Sequence, residues 1–199
     1  MGKKAVDVAL LPSEEIMGRA IELNKKIATS LESNIKLNKK DCLPHITLAM
    51  GCMDDNDLAK IGKILKQIAE KNKTLSLKTL SGPTDKACFE IYNNSFLKLL
   101  HETVMNELEP YLTYDVDKTM INKSGGKINA LTIDYIKHFR AESAFDKFTP
   151  HITLGSGEAS LDIPEIHFKA SKIALCHLGN FCTCRKILYH TLLSPEDKQ

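Results

Sequence analysis

Strong charge of one sign is missing from this sequence: 27 Lys and Arg stand against 25 Asp and Glu, a formal balance of +2 over 199 residues. The basic residues are spread along the chain and form no tail, which excludes the extended, salt-dependent grip on long duplex DNA that comes from neutralising many phosphates. Long apolar runs are missing too, and nothing approaches the roughly 18 residues of a transmembrane helix. The opening run is interrupted by Asp7 and ended by Pro12, so it reads as a buried strand and not a signal peptide. A cytoplasmic protein without a membrane partner is expected, with a monomer favoured.

A paired-cysteine zinc pattern is also lacking. His177, Cys182 and Cys184 lie close together, but one residue separates the two cysteines where structural zinc sites place two, and no second pair matches. The reading without metal is preferred, with a zinc protein as the alternative. Six cysteines without a secretion signal (Cys42, Cys52, Cys88, Cys176, Cys182 and Cys184) read as reduced thiols.

What is present is ordinary globular composition, 43% apolar and 26% charged, enough for a core without staples. Val6 to Leu11 is a strand. Ser13, Glu14 and Glu15 then open a helix whose Ile16, Ala20, Leu23 and Ile27 recur at helical spacing. A second helix aligns Leu58, Ile61, Leu65 and Ile68 behind Asp54 or Asp55. Leu75 to Leu80 and Ala87 to Tyr92 read as paired strands around Ser81-Gly82-Pro83. A third helix runs from a cap at Asn94 or Ser95 towards Pro110, with Leu97, Leu100, Val104 and Leu108 on one face.

Within this order one pentapeptide, Pro-His-Ile-Thr-Leu, occurs twice, at Pro44 to Leu48 and at Pro150 to Leu154. Each copy follows a strand and a helix and precedes a closing strand, so the chain reads as an internal duplication. The second half is longer, and its excess falls within Thr113 to Ile136. That segment contains the turn-like Asn-Lys-Ser-Gly-Gly-Lys and is expected to be a hairpin, either a flap over the substrate or merely an extra one.

On a strand, alternate side chains face opposite sides, so Ile46 and Leu48 anchor in a core while His45 and Thr47 face away from it. The same holds for Ile152 and Leu154 against His151 and Thr153. Pro44 and Pro150 suit a strand's first position, where a missing N–H is tolerated. If the halves face each other, two imidazoles and two hydroxyls share a cleft. Displacement at phosphorus needs a base for the incoming oxygen and an acid for the leaving one; histidine serves as either near neutral pH. Hydroxyls can hold the non-bridging oxygens, so the pattern suggests phosphoester chemistry without metal or other cofactor.

The paired His-Ile-Thr-Leu motifs, at His45 to Leu48 and His151 to Leu154, resemble those of the two-histidine phosphoesterase superfamily. The order of elements is similar over nearly the whole chain, and the terminal Leu178 to Leu188 segment, "LGNFCTCRKIL", resembles the closing hairpin of the bacterial and archaeal 2',5'-RNA ligase and cyclic phosphodiesterase branch. The resemblance implies an α/β (α+β) domain spanning 1–199, internally duplicated into two lobes, with mainly antiparallel sheets lining a cleft and helices outside. It further implies catalysis by His45 and His151, phosphate binding by Thr47 and Thr153, and RNA 2',3'-cyclic phosphate ends or small cyclic nucleotides as substrates, with 2',5' ligation as the reverse reaction. The near-identical motifs leave open which histidine is the base.

Arg185, opening the last strand, is a candidate phosphate contact or an ordinary surface arginine. Lys123 and Lys127 either meet an oligonucleotide backbone or lie in a solvated loop. Phe148 and Tyr92 are stacking candidates better read as packing. The alternative in another class is a nucleotide-binding regulatory module on the same fold, without turnover.

Overall fold

The computed structural model describes residues 2–31, 34–123 and 127–195. The opening strand–helix–strand is β1 (Lys3–Pro12), α1 (Glu14–Leu31) and β2 (Ile46–Asp54), followed by α2 (Leu58–Lys71) and β3 (Leu75–Lys78). The second half runs β4 (Gly82–Glu90), α3 (Ser95–Leu108), α4 (Ala130–Glu142), β5 (His151–Ile163), β6 (His167–Leu178) and β7 (Cys184–Leu192). α3 begins where capping chemistry places it, with Asn94 Oδ1 accepting the Leu97 N–H at 2.9 Å, whereas Asp54 Oδ1 accepts from Asn56 and caps a short 3-10 turn, Asp55–Asp57, ahead of α2.

The duplication is visible in the pairing. In the first lobe β1 pairs antiparallel with β2, setting Ala9 opposite Thr47; in the second, β4 pairs antiparallel with β5, setting Cys88 opposite Thr153. Ile46, Leu48, Ile152 and Leu154 are all fully buried, each stabilising its strand by on the order of 1.5–3 kcal/mol.

The closing strands break the symmetry. β6 leaves the second lobe and pairs antiparallel with both β1 and β3, with β7 also on its flank, so the first sheet has five strands and the second only two. This revises the expected hairpin around Gly82. β3 is taken by β6 and β4 by β5, leaving the single bridge Thr79–Ile91 and the bonds beside it. Gly82, at φ 122°, makes the turn between sheets that a side chain would strain. Gly62 on α2 allows the Tyr189 ring to approach, since a Cβ there would meet it at 3.2 Å.

Two further expectations change. The described part of the 113–136 segment contains no hairpin: Ala130–Glu142 is α4, capped by Asn129 on the Leu131 N–H, and the tip residues 124–126 lie outside the described residues. The side chain of Asn129 ends the loop because it satisfies a free helix N–H, which the turn-like composition upstream concealed. Nor are all six cysteines free, since Cys176 and Cys184 form a disulfide with Cα atoms 5.5 Å apart. Antiparallel pairing of β6 with β7 sets Cys184 opposite Leu178, two residues on from Cys176, and so brings the two cysteines onto neighbouring strands. Among the described residues no helix is long and apolar enough to cross a membrane.

His101 and Asn24 stitch the lobes together. Fully buried His101 donates from Nδ1 to the Leu48 carbonyl (2.7 Å), accepts the Phe145 N–H at Nε2 (2.8 Å) and stacks on Phe148 at 3.9 Å. It thus ties the first motif strand to the approach of the second, and burial holds it below the usual histidine range, in the neutral form this bonding needs. Asn24 of α1 bonds the carbonyls of Ile35 and Leu154.

Candidate active site

Both histidines are mounted alike. The ring Nδ1 of His45 lies 2.7 Å from the Leu43 carbonyl, and that of His151 lies 2.8 Å from the Thr149 carbonyl. A carbonyl only accepts, so each Nδ1 carries a hydrogen and each Nε2 is left for chemistry. The local sequence explains the match: Leu-Pro and Thr-Pro hold the preceding residue extended, turning its carbonyl towards the ring two residues on.

His45, Thr47, His151 and Thr153 line one cavity of about 380 Å³ between the lobes. Its remaining wall is Ile35, Met50, Leu131, Thr132, Tyr135, Gly155, Phe181 and Cys182. An adjoining hollow of about 420 Å³ shares His151, Thr153 and Gly155 and extends along Asp85 to Cys88. The four motif side chains are therefore brought together around one cavity.

Arg185 is not brought to them. Its Nε donates to Thr183 Oγ1 at 2.8 Å and its Nη1 to the Asp41 carbonyl at 3.3 Å, bracing the loop before the first motif, and it does not line the cavity. Phe148 belongs to the packing around His101, while Tyr92 is exposed with the Lys78 ammonium over its ring. Lys123 and Lys127 do not line the cavity either. The zinc trio is dismantled: Cys184 is in the disulfide, Cys182 lines the cavity, and His177 uses one ring nitrogen on the Met120 carbonyl and the other on Asn122.

Several site residues escaped the sequence reading. α4 supplies Leu131, Thr132 and Tyr135 because its N-terminus is bolted to the turn 180–182. Asn180 Oδ1 accepts from the Asn129 N–H and the Thr132 hydroxyl, and Thr132 Oγ1 accepts the Phe181 N–H. Phe181 and Cys182 sit at φ 56° and 54°, a left-handed conformation costly for non-glycine residues and held here by those bonds. Burial pushes the Cys182 thiol well above its usual range, which keeps it unreactive.

Asp7 is the other omission. It is fully buried beneath the first motif: its Oδ2 accepts the Thr47 hydroxyl at 2.7 Å and lies 3.4 Å from His45 Nε2, while its Oδ1 has no hydrogen-bond partner. Burial works against the His45 imidazolium, but the nearby charge of Asp7, together with the bond to the Leu43 carbonyl, outweighs it, so His45 stands above the usual histidine value. The signal in the sequence was an acid inside an otherwise apolar strand.

No protein-family model matches the sequence, and no curated protein matches it. Solved structures do match. TT0787 of Thermus thermophilus superposes with a TM-score of 0.59 at 17% identity, covering 96% of this chain and 99% of its own. Escherichia coli LigT gives 0.54 at 15% in its apo form and 0.55 at 13% complexed with phosphate, in both cases covering 98% of this chain and 99% of LigT. The likeness extends over the whole described architecture, and the fold of this chain is the one shared by LigT and TT0787.

Proposed function

We propose that this chain is a phosphoesterase that opens 2',3'-cyclic phosphates, on single nucleotides or RNA ends, to 2'-phosphates without a metal, and that runs the reverse 2',5' ligation when a ribose hydroxyl replaces water. One observation carries the reading: two histidines, each with Nδ1 committed to a carbonyl and Nε2 available, face one cavity with two threonines. Catalysis is assigned to His45 and His151, and phosphate binding to Thr153 and to Thr47 once its hydroxyl turns from Asp7. Structures of LigT complexed with 3'-AMP and with NADP+ support a cleft of nucleotide size.

The lining favours a compact substrate. Its described residues include no Lys or Arg, whereas Ile35, Met50, Leu131, Tyr135 and Phe181 form an apolar wall suited to a base. A polyanion would find no series of cations to follow. Turnover of 2',3'-cyclic nucleotides in EDTA tests the reading: the wild type should yield only 2'-phosphate, and His45→Ala and His151→Ala should not. Binding of these nucleotides without turnover would instead favour a regulatory module.

A further inference from the structure

We propose that Asp7 is a positioning residue that fixes the roles of the two histidines, holding His45 as the general acid and leaving His151 as the general base. The inference rests on the phosphoesterase reading above and deepens it, because the motifs themselves are too alike to assign these roles.

Hydrogen atoms set the first constraint. His45 Nδ1 must donate to the Leu43 carbonyl, so a neutral ring would leave a bare Nε2 lone pair 3.4 Å from the Asp7 carboxylate. That is repulsive, whereas an imidazolium with hydrogen on both nitrogens is attracted. Asp7 has its own requirement: a fully buried carboxylate with an unpartnered oxygen calls for a nearby cation. Only His45 is within ion-pair distance among the described residues. The other titratable groups facing His45 around the cavity are Tyr135 from α4, Cys182 from the turn and His151 from β5. None of them is a carboxylate, and burial raises both the phenol and the thiol, which leaves them neutral.

The second lobe lacks this device. Glu90 stands opposite His151 in the β4–β5 register, but it is part exposed and held by Lys86 at 2.6 Å. No carboxylate lies within ion-pair distance of His151 among the described residues. Among the described residues no carboxylate therefore favours a proton on its Nε2, the ring nitrogen that the Thr149 carbonyl does not engage.

The step then balances. Water attacks phosphorus and gives a proton to His151 Nε2; the bond from phosphorus to the 3'-oxygen breaks, and that oxygen takes the proton of His45 Nε2. The product is the 2'-phosphate, with His45 neutral and His151 protonated, and solvent exchange restores both. At 3.4 Å the His45 N–H lies outside the usual range of about 2.7–3.2 Å for a good hydrogen bond, so Asp7 stabilises the proton without locking it away from the cavity.

Two measurements test this. Histidine 15N NMR titration of the free protein should show His45 falling by about one pH unit or more in the isosteric Asp7→Asn variant, with His151 unmoved; an unchanged His45 overturns the proposal. The second compares a 2',3'-cyclic nucleotide with a 4-nitrophenyl phosphodiester, whose leaving group needs no proton. His45→Ala should lose at least about 100-fold on the cyclic substrate and only about fivefold or less on the ester, while His151→Ala loses on both. The opposite ranking, or equal losses on both substrates, overturns the assignment. If the wild type turns over neither substrate, the acid role fails together with the phosphoesterase reading. A His45 titration that still depends on Asp7 would then show that the pairing is real and the chemistry misread.

Discussion

The two copies of Pro-His-Ile-Thr-Leu are identical in sequence and differ in what lies beneath them. The first sits in a five-stranded sheet over a buried carboxylate; the second sits in a two-stranded sheet opposite a glutamate already neutralised by lysine. Identical side chains on identical strands are thereby given different electrostatic surroundings. The lesson is that a motif fixes which groups face the cleft, whereas the strand it pairs with decides how those groups are charged.

The bluntest way to break the comparison is to remove each ring. His45→Ala and His151→Ala should each lose on the order of 10²–10⁴-fold in kcat on a cyclic phosphate, in steady-state assays with circular dichroism confirming the fold. A loss confined to one of them would mean that the lobe of the other only binds.

The lobes can next be loosened from each other. His101→Ala leaves the Leu48 carbonyl and the Phe145 N–H without their partner and removes the stacking on Phe148. It should cost roughly 2–5 kcal/mol of unfolding free energy, measured by urea denaturation. A cost under about 1 kcal/mol would show that the lobes hold together without it.

The threonines sharpen the contrast. Thr47→Val deprives the buried Asp7 Oδ2 of its hydrogen bond and should destabilise by about 1–3 kcal/mol. Thr153→Val should leave stability nearly unchanged and weaken inorganic phosphate binding about tenfold, read by calorimetry. Equal effects on stability would erase the asymmetry between the lobes.

Stability against pH probes the same pair more gently. His45 is raised on folding by Asp7, so its contribution is full below the ordinary histidine value of about 6.5 and is lost as pH rises through the raised value. The stability gap between wild type and Asp7→Asn should therefore narrow from pH 6 towards pH 9, and a gap that widens would contradict the pairing. The smallest effect is expected at Arg185, which braces Asp41 and Thr183 outside the cavity. Arg185→Ala should change kcat/KM by less than about twofold and stability by about 1 kcal/mol, and a large loss of phosphate affinity would return it to the site.

Much of this was legible because it is local. Alternation places Ile46, Leu48, Ile152 and Leu154 in the core and the four polar side chains in one cavity. Helical spacing and Asn94 place α3 correctly. The hairpin expected in 113–136 misled because glycine and lysine composition marks a turn without specifying the next element; Asn129, which starts α4, does so through one side-chain bond. Asp7 drew notice only as an interruption in an apolar run, since its partners Thr47 and His45 stand about 40 residues away and are set beside it by the β1–β2 register.

By itself, then, the sequence determined the duplicated order of elements, the buried anchors and the four side chains of the cleft, all of which depend on spacings of a few residues. Tertiary structure alone decided that β6 crosses to the first sheet, that Cys176 meets Cys184, that α4 and the Phe181 turn wall the cavity, and that Asp7 lies under one histidine and not the other. Each of these depends on strand pairing or docking between distant segments, where the energy comes from what the fold brings together and no local pattern carries it.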